Sequence, residues 1–358
     1  MKEIETIPAK IKTKVEDFIV KEIGEKWDCK ISKEFKQPEI IIDENNPKEF
    51  LWCEMEKQDI DHFQTIKDVA NNLGKSSDAI GYAGTKDKRA WTSQRISIFN
   101  PDIDKVKNFH HPKIILKNFK WNKRKIKIGY LEANRFKITL RDLDKKDAMK
   151  ITKQIRNTDW FPNYFGPQRF GRNNNNVKIG KLILKRKFKE AVKAISEDNP
   201  RQKERLEYYL KRNPEDYIGA IRKSERKSML MFVNAVQSKI FNEILETALE
   251  EGLNFTKQGQ TSCLLMGYKT RFYDGRLGEI EQQILANNNL TLEDFNVTEI
   301  PYLRIKGSFR KAITEIKNLE ISTDDDDEFQ NSKKITLTFT LPSGVYATTF
   351  LENFFSFN

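Results

Sequence analysis

The chain has 358 residues, a formal net charge of +12, and 38% hydrophobic and 11% aromatic residues. That length predicts two domains, or one domain with a large insertion, and the apolar content suits a folded core rather than a disordered chain. No apolar run approaches the roughly 18 residues that span a bilayer, and the N-terminal residues lack the apolar stretch of a secretion signal, so we expect a cytoplasmic protein without membrane contact.

The first 160 residues predict short strands with isolated helices between them. Alternating apolar residues and short apolar runs indicate strands at four places: within 12–23, at 50–53, as a hairpin over 113–128, and at 136–141. Helical spacing and end signals indicate a helix from Asp61 to Leu73, ended by Gly74, and another that Asp144 caps. Because no regular strand–helix–strand rhythm appears, we expect an α+β fold with a mixed or antiparallel sheet.

Past Val177 helical patterns dominate, and the chain then returns to strands. Ser224–Gly252 carries the wide apolar face of a long helix, and Gly278–Asn288 predicts a further helix. The acidic run 324–328 predicts a solvated loop, and clean alternation over 335–341 predicts a strand. That last strand has a sheet to join only in the first domain, so the order sheet, helices, sheet indicates an inserted domain.

The cysteines and histidines argue against a metal site. The three cysteines lie far apart without a Cys-x-x-Cys pair, which predicts buried thiols in a reducing compartment rather than disulfides. There are three histidines, and the adjacent His110 and His111 stand in a polar connection where solvation is expected. A zinc or metal-hydrolase site needs a denser cluster of ligands. We therefore expect no metal, and chemistry that rests on carboxylates and lysines.

The positive charge is concentrated in one block of the chain. Residues 101–188 hold 24 Lys and Arg against 7 Asp and Glu, a net of +17, whereas residues 1–100 have a net of −2. A concentrated basic face is typical of proteins that bind a polyanion, above all a nucleic-acid backbone. An acidic membrane surface is less favoured, because no basic amphipathic helix with a broad apolar face accompanies the charge.

The segment 81–94 places one carboxylate, Asp87, in a cationic run behind a glycine-bent loop. Two glycines three residues apart let the backbone turn sharply and let a ligand approach closely. A carboxylate between Lys86 and Lys88 is stabilised in its charged form, which can act as a nucleophile or a base. A charged turn without function is the alternative for this segment alone. A nucleotide-phosphate loop is disfavoured, because the Gly-Lys-Ser/Thr ending is missing.

Two other segments carry possible site residues. Residues 163–171 interleave aromatic side chains with an amide, an arginine and two glycines, which suits contact with unstacked bases. The alternative is an ordinary turn with core aromatics. Residues 341–349 form a proline-glycine turn followed by small residues. Such a turn serves packing, or lines a pocket if its strand runs beside the one that bears Asp87.

Taken together, five segments resemble the TruD family of pseudouridine synthases, in the family's order. They are Glu16–Glu22, Gly81–Gln94, Gly129–Phe136, Asn163–Gly171 and Leu341–Thr348. The resemblance implies a cofactor-free isomerase that converts uridine to pseudouridine in RNA, usually uridine 13 in the D arm of tRNA, although some relatives modify other RNAs. We therefore expect tRNA as the partner, no metal, and a monomer.

The resemblance also implies a fold and its division. The family has a pseudouridine-synthase α+β domain with a mixed, largely antiparallel sheet, into which a mostly helical TRUD domain is inserted. We expect the catalytic domain at residues 1–188 and 311–358, and the inserted domain at residues 189–310. This agrees with the sheet, helix, sheet order that the residues indicate.

The family's functional residues carry over by position. Asp87 matches the catalytic aspartate, and Lys12 matches the lysine expected to pair with it. Phe165 matches the aromatic residue that stacks on the target base, and Asn163 the neighbouring amide. These four are the expected core of the site.

Further residues belong to the expected site or to its support. Arg169, Gly84 and Lys86 are expected substrate contacts, whereas Thr92 and Gln94 are expected to hold the loop. The sequence departs from the family pattern where Glu352-Asn353 replaces a frequent Arg-Glu, which bears on C-terminal contacts. The alternative function is a non-catalytic RNA-binding or RNA-chaperone protein on the same scaffold. A degenerate enzyme of that kind would be expected to lose the aspartate first, and here Asp87 stands in an intact motif.

Overall fold

The computed structural model describes residues 6–255 and 261–357. Its strands, in chain order, are β1 (Ile7–Ile11), β2 (Phe18–Gly24), β3 (Trp27–Asp28), β4 (Phe50–Gln58), β5 (Ile80–Tyr82), β6 (Trp91–Phe99), β7 (Ile114–Asn122), β8 (Ala133–Leu143), β9 (Trp160–Pro162), β10 (Ser262–Leu265), β11 (Ser308–Lys311), β12 (Ile313–Glu315), β13 (Lys317–Asp325), β14 (Lys333–Pro342) and β15 (Phe355–Phe357). Its helices are α1 (His62–Asn72), α2 (Ile103–Lys107), α3 (Lys145–Arg156), α4 (Asn175–Leu184), α5 (Phe188–Asp198), α6 (Pro200–Arg212), α7 (Tyr217–Lys223), α8 (Arg226–Glu250), α9 (Arg276–Asn287) and α10 (Ala347–Leu351).

The chain divides into two compact units. The described residues up to Phe161, together with those from Glu315 onward, form the sheet unit, and Pro162–Thr314 form the helical unit. Domain boundaries after residues 188 and 310 stay a prediction. The compact helical unit includes α4 because α4 buries its apolar side chains in the same core as α8.

The sheet unit is built on a mixed, largely antiparallel sheet. Its main path runs β13-β14-β8-β2-β6-β4-β7, with β1, β3, β5 and β15 attached to its sides. The pairs β2–β6 and β1–β15 are parallel, and the other pairs described along this sheet are antiparallel. The predicted α+β class with this kind of sheet is confirmed.

The C-terminal strand returns to the first part of the chain, as the alternation of its residues predicted. β14 pairs with β8 over nearly its whole length, and Phe339 lies opposite Phe136 in the register. Their rings stack with centroids 5.4 Å apart. Leu337 and Leu341 are fully buried beside them, so one face of both strands forms the core.

The hairpin predicted over 113–128 is wrong. β7 continues as one strand to Asn122, because Trp121 and Asn122 pair with Leu51 and Phe50 of β4. The residues that follow form a connection without strand structure until β8 begins at Ala133. β7 pairs with β4, which is distant in the chain, rather than with the segment that follows it.

The solvated loop predicted for the acidic run 324–328 is also only partly right. Asp325 ends β13, and the side chain of Asp326 is fully buried. Its carboxylate accepts hydrogen bonds from the guanidinium of Arg141 at 2.7 Å and from the backbone N–H of Asp142 at 3.0 Å. Part of the acidic run is therefore buried, because the guanidinium of Arg141, buried on β8, is paired with its carboxylates.

The helical unit is organised around α8, which confirms the long helix predicted for Ser224–Gly252. α4, α9 and β10 pack against it, and it buries side chains from Met229 to Ala248. The helix predicted at Gly278–Asn288 is present as α9. Across residues 6–255 and 261–357, no helix is both long and apolar enough to cross a membrane.

Candidate active site

Asp87 lies in the loop between β5 and β6, residues 83–90, which we call the Asp87 loop. The preceding strand β5 is tightly enclosed. A Cβ atom at Gly81 would collide with the backbone carbonyl oxygen of Ile126 and the hydroxyl of Ser97. Glycine at position 81 therefore allows the backbone to pack closely here. This packing positions the strand from which the Asp87 loop starts.

The carboxylate of Asp87 is accessible and has a cation beside it. Its side chain is 46% exposed, and its Oδ2 lies 3.6 Å from the Nζ of Lys12, whose side chain is 20% exposed. The same ammonium lies 4.1 Å from the ring centroid of Phe18. The ammonium of Lys12 thus lies between the aromatic face of Phe18 and the carboxylate of Asp87, and both attract a cation.

The backbone of Lys12 adopts an unusual conformation. Its φ is +59°, in the left-handed region that non-glycine residues rarely occupy. The residue follows β1, and the chain then makes a short helical turn over Val15–Asp17. Such conformations persist where surrounding contacts fix them, and they concentrate at functional sites.

A buried ion pair fixes the turn that carries Lys12. The carboxylate of Asp17 accepts a hydrogen bond from the backbone N–H of Lys14 at 2.8 Å. Arg141 donates to the same carboxylate through Nε at 3.0 Å and Nη2 at 2.8 Å. The remaining guanidinium nitrogen of Arg141 contacts Asp326. This bidentate geometry ties the turn to β8 and to the acidic run.

A second buried cation holds the Asp87 loop from beneath, and the sequence analysis missed it. Lys57, on β4, is fully buried, and its ammonium donates to the backbone carbonyls of Asp87 and Ile60. Burial lowers the pKa of Lys57 to about 8, although the negative charge of Asp87 opposes the shift. The available signal was a lysine inside the apolar strand that begins at Phe50.

Lys86, an expected substrate contact, forms a buried ion pair in the structure. Its side chain is buried, and its ammonium lies 2.7 Å from the carboxylate of Glu22, which is also buried. The pair links the Asp87 loop to β2. Because the partner occupies the ammonium, the geometry favours a role for Lys86 in positioning the loop.

Of the two residues expected to hold the loop, Gln94 contacts it directly. Gln94 donates from Nε2 to the backbone carbonyl of Gly84 at 3.1 Å. Thr92 is buried on β6, opposite Val20 of the neighbouring strand. Gly84 itself is partly exposed, and a Cβ atom there would only reach ordinary contact distance from Leu131. A ligand contact at Gly84 stays a prediction.

The segment 163–171 lies in the helical unit and presents Phe165. Its backbone N–H donates to Oδ1 of Asn242, and its carbonyl accepts from Nδ2 of the same side chain, both at 2.9 Å. The guanidinium of Arg310 lies 4.0 Å from the ring centroid. The ring of Phe241 meets it edge-on at 5.5 Å. The aromatic ring is therefore fixed in place by its neighbours.

Asn163 contacts Arg310, which lies over this ring, and Arg169 approaches the ring itself. Asn163 is buried and donates to the carbonyl of Lys311 at 2.9 Å, while its Oδ1 accepts from Nη2 of Arg310 at 2.6 Å. The guanidinium of Arg169 lies 5.6 Å from the Phe165 centroid, and its Nε donates to Ser238 at 3.2 Å. The structure thus groups Asn163, Phe165 and Arg169 within the helical unit.

Comparison with known proteins places the chain in a family. The model of the family described as tRNA pseudouridine synthase D (TruD) matches residues 1–208, 198–261 and 256–354. The chain belongs to this family. Relatives named probable tRNA pseudouridine synthase D include one from Methanosarcina mazei, 29% identical over 97% of this chain and 93% of its own length. Another, from Methanocaldococcus jannaschii, is 32% identical over 96% of this chain and 94% of its own length.

A solved TruD structure has the same fold. A crystal structure of a TruD protein from Methanosarcina mazei superposes with a TM-score of 0.73 at 26% identity. The match covers 98% of this chain and 94% of that one. The resemblance in five sequence segments is thereby confirmed across nearly the whole chain.

The departure from the TruD pattern near the C-terminus has a local structural role. Asn353 donates from Nδ2 to the carbonyl of Thr349 at 2.6 Å, and so satisfies a free carbonyl at the end of α10. Burial raises the pKa of the adjacent Glu352. Both residues follow the Leu341–Thr348 segment and contribute to how α10 ends.

The histidines and acidic residues of this TruD chain do not gather into a metal site in the part that the structure describes. No group of three or more His, Cys, Asp or Glu side chains there could hold a metal ion. His111, predicted to be solvated, lies 3.6 Å from Asp68 through Nε2. His62 is buried against the ring of Tyr82, and burial lowers its pKa to about 4.

Proposed function

We propose that this chain converts uridine to pseudouridine in tRNA, at uridine 13, with Asp87 as the single catalytic carboxylate and without a cofactor. Membership of the TruD family supports the reaction and the substrate class. The observation that carries the assignment of Asp87 is its accessible carboxylate, 3.6 Å from the Lys12 ammonium in a loop held by buried contacts. An ionised, oriented carboxylate is what a nucleophile or a base requires.

The reaction is an isomerisation, so its atoms balance without an added reductant or oxidant. The C1′–N1 bond of the target uridine breaks, the uracil rotates, and a C1′–C5 bond forms. The proton on C5 leaves and N1 gains one. Asp87 acts either covalently, on the ribose or the uracil, or as the base that moves a proton. The Lys12 ammonium stabilises the negative charge of its carboxylate in both versions.

The target base must leave its stack to reach a carboxylate on the protein. Extruding a nucleotide costs on the order of a few kcal/mol, which contacts with the freed base offset. We assign this contact to Phe165, since its ring is fixed by Asn242 and Arg310. Asn163 and Arg169 orient the ring and its segment. Base–aromatic stacking contributes roughly 1–3 kcal/mol.

The two compact units receive different roles in this proposal. The sheet unit is the catalytic domain, and the helical unit is the inserted TRUD domain that contributes Phe165. The basic block of residues 101–188 binds phosphates, so affinity for tRNA should fall steeply as salt is added. We further propose a monomeric cytoplasmic enzyme that needs no metal. Light scattering with and without tRNA tests the monomer, and activity in chelator tests the metal.

The deciding experiment is to map pseudouridine in an unmodified tRNA transcript after incubation with wild type and with Asp87→Ala. We expect product at position 13 with wild type and none with the variant. Asp78→Ala is the matched control, because Asp78 is an exposed aspartate of the same unit outside the loop. Equal amounts of product from wild type and Asp87→Ala would contradict a catalytic role for Asp87. Tight binding without product from wild type would favour the RNA-chaperone alternative.

A further inference from the structure

The connection between β7 and β8 carries three exposed cations. We call residues 123–131 the cationic loop; it belongs to the sheet unit, and its exposed cations are Lys123, Arg124 and Lys127. Across residues 6–255 and 261–357, no acceptor lies within hydrogen-bond or ion-pair distance of their charged ends. These positive charges are therefore available to a ligand.

Other lysines of the basic block have acidic partners close by. The ammonium of Lys113 lies 3.5 Å from the carboxylate of Asp59, and Lys117 is paired with the buried carboxylate of Glu56. A lysine beside a carboxylate presents little net charge to a polyanion. The cationic loop thus contributes positive charge that its neighbours do not cancel.

The backbone of the cationic loop is fixed by contacts with the sheet. The carbonyl of Arg124 accepts a hydrogen bond from the indole N–H of Trp52 on β4 at 2.7 Å. The backbone N–H of Ile126 donates to the hydroxyl of Ser97 on β6 at 3.0 Å, and the side chain of Ile126 is buried. Because the backbone is already ordered, a ligand that binds these cations pays little for ordering the loop.

The cationic loop is also joined to the Asp87 loop. The backbone N–H of Gly129 donates to the carbonyl of Ala83, the first residue of the Asp87 loop, at 2.8 Å. Ala83 also packs in one buried cluster with Ile126 and Leu131 of the cationic loop. A ligand on the cationic loop therefore lies beside the loop that carries the catalytic carboxylate.

A tight turn over residues 127–130 presents an apolar side chain beside the cations. The backbone N–H of Tyr130 donates to the carbonyl of Lys127 at 3.1 Å. Gly129 has a φ of +86°, which glycine adopts readily at the third position of such a turn. Ile128, at the second position, is 71% exposed. The tip of the turn is therefore accessible, and position 128 reports on whatever passes the cationic loop.

The charge and the position of the cationic loop fit an RNA strand. A strand that places a uridine at Asp87 carries a phosphate on either side of that uridine. Lys and Arg contact phosphates without reading the base, and such contacts fix the register of the nucleic acid. An acidic peptide would match the charges, but it would not require a position beside the catalytic loop.

We propose that the cationic loop binds the phosphates next to the target uridine through Lys123, Arg124 and Lys127, and so sets the register of the RNA strand at Asp87. This inference rests on the proposed function, because it takes the occupant of the Asp87 site to be uridine 13 of a tRNA. It deepens that function by assigning the phosphates nearest the target to three side chains of the basic block.

The first test measures the phosphate contacts on an unmodified tRNA transcript. Each of Lys123→Gln, Arg124→Gln and Lys127→Gln should reduce the slope of log Kd against log salt concentration by about 0.7, the value for one phosphate contact on a single strand. The triple variant should reduce it by about 2, since the contacts add. Slopes equal to wild type in all of these variants would overturn the proposal.

Lys193→Gln is the control for the salt dependence. It removes the same charge from an exposed position on α5, outside the basic block, and should leave the slope near wild type. An equal reduction in Lys193→Gln and in Lys127→Gln would contradict a phosphate site on the cationic loop.

The second test locates the cationic loop on the RNA. The chain's three cysteines, Cys29, Cys53 and Cys263, are buried, and burial raises the pKa of each thiol. An added exposed cysteine should therefore react selectively with a photo-crosslinking reagent. We expect Ile128→Cys that carries this reagent to crosslink to the nucleotides next to uridine 13.

Met149→Cys is the matched control for crosslinking. Met149 is 67% exposed on α3, which packs against β13 and β14. It should crosslink to other nucleotides or not at all. Crosslinks from Ile128→Cys that lie far from uridine 13, or that coincide with those from Met149→Cys, would contradict the proposed position of the RNA strand.

The outcomes distinguish this inference from the proposed function. Binding and crosslinking are measured in the Asp87→Ala background, so neither depends on turnover. If wild type makes pseudouridine but the loop variants keep the wild-type salt slope, the cationic-loop proposal fails and the proposed function stands. If wild type makes no pseudouridine, while the slope falls and Ile128→Cys crosslinks beside uridine 13, the phosphate contacts stand and the proposed function fails. Thermal melting checks that each variant is folded.

Discussion

Buried carboxylates are treated differently in the two units of the molecule. In the sheet unit each has a cation nearby: Glu22 meets Lys86 at 2.7 Å, and Asp17 meets Arg141 at 2.8 Å. In the helical unit, Glu281 is fully buried and accepts from the backbone N–H of Tyr273 at 3.0 Å. Burial raises the pKa of Glu281 to about 7. The sheet unit pairs these buried acids with cations, whereas burial in the helical unit favours the protonated form of Glu281.

This difference in how buried carboxylates are paired matches the group that each unit positions. The sheet unit carries Asp87, and two of its buried pairs tie down the Asp87 loop and the turn that follows Lys12. The helical unit positions an aromatic ring, and a neutral amide, Asn242, holds the backbone of Phe165. Loss of one partner from a buried charged network lowers the free energy of unfolding strongly, whereas loss of a neutral hydrogen bond lowers it only slightly.

The largest expected effect follows from breaking the Arg141 network. Arg141→Met leaves the carboxylates of Asp17 and Asp326 buried without their cation, so the free energy of unfolding should fall by about 3–5 kcal/mol. Chemical denaturation of the whole protein measures this loss of stability. Arg135→Met on the same strand is the control, because its partner Glu320, 3.9 Å away, is exposed, and this pair should contribute less than about 1 kcal/mol. Equal losses would contradict the comparison.

Glu281 should make stability depend on pH in the opposite sense from a salt-bridged acid. Its pKa rises from 4.5 in the unfolded chain to about 7 in the fold. The native state therefore favours the protonated form, and its stabilising effect is present below pH 4.5 and lost as pH rises through 7. The loss should reach about 3 kcal/mol, since one pKa unit is worth about 1.4 kcal/mol.

Glu281→Gln tests this sign. The amide oxygen can still accept from Tyr273 but carries no charge, so the variant should gain stability relative to wild type between pH 5 and pH 8. Thermal melts at several pH values measure the difference. Glu279→Gln, an exposed position on the same helix, is the control and should show no such gain. A constant difference between wild type and Glu281→Gln over this range would refute a buried neutral acid.

Lys57 should affect catalysis more than substrate binding. Lys57→Met removes the donor to the carbonyls of Asp87 and Ile60 while filling a similar volume. A loop displaced by about 1 Å costs roughly a hundred-fold in rate. We expect kcat to fall by about that factor with little change in Kd for tRNA, which single-turnover assays measure. Lys137→Met, exposed on β8, is the control. A rise in Kd alone, with normal kcat, would contradict a positioning role.

Lys57 also marks the limit of what the sequence could predict. Local patterns gave the α8 helix, the cap at Asp144 and the alternation of β14, because each depends on residues near in the chain. Lys57 lies thirty positions from Asp87, and nothing in either segment indicates that they meet.

The partners of Lys86 and of the acidic run 324–328 were also beyond local sequence patterns, because they too are distant in the chain. The ammonium of Lys86 lies on buried Glu22 of β2, a partner that the sequence does not indicate, because sequence neighbours in a loop need not face the same way. Asp326 was expected in solvent because like charges usually are. Its burial depends on Arg141, 185 residues away. The resemblance to the family supplied Lys12, which composition alone would not have singled out among so many lysines.

The smallest effect is expected where neutral hydrogen bonds hold Phe165. Asn242→Leu removes both bonds to the backbone of Phe165, each worth about 1 kcal/mol. The ring should become less well fixed, so Kd for tRNA should rise roughly five- to thirty-fold without an abrupt loss of folding. Fluorescence binding measures Kd, and a melt measures stability.

Asn234→Leu is the matched control, since Asn234 lies two turns earlier on α8 and its side chain is only partly buried. If Asn242→Leu lowered the free energy of unfolding as much as Arg141→Met, loss of neutral hydrogen bonds would cost as much stability as loss of a buried cation. That result would contradict the difference between the two units. If it changed neither Kd nor stability, the fixed ring of Phe165 would not contribute to RNA binding. The expected result lies between these two, because two neutral hydrogen bonds are worth less than a buried charge left without its partner.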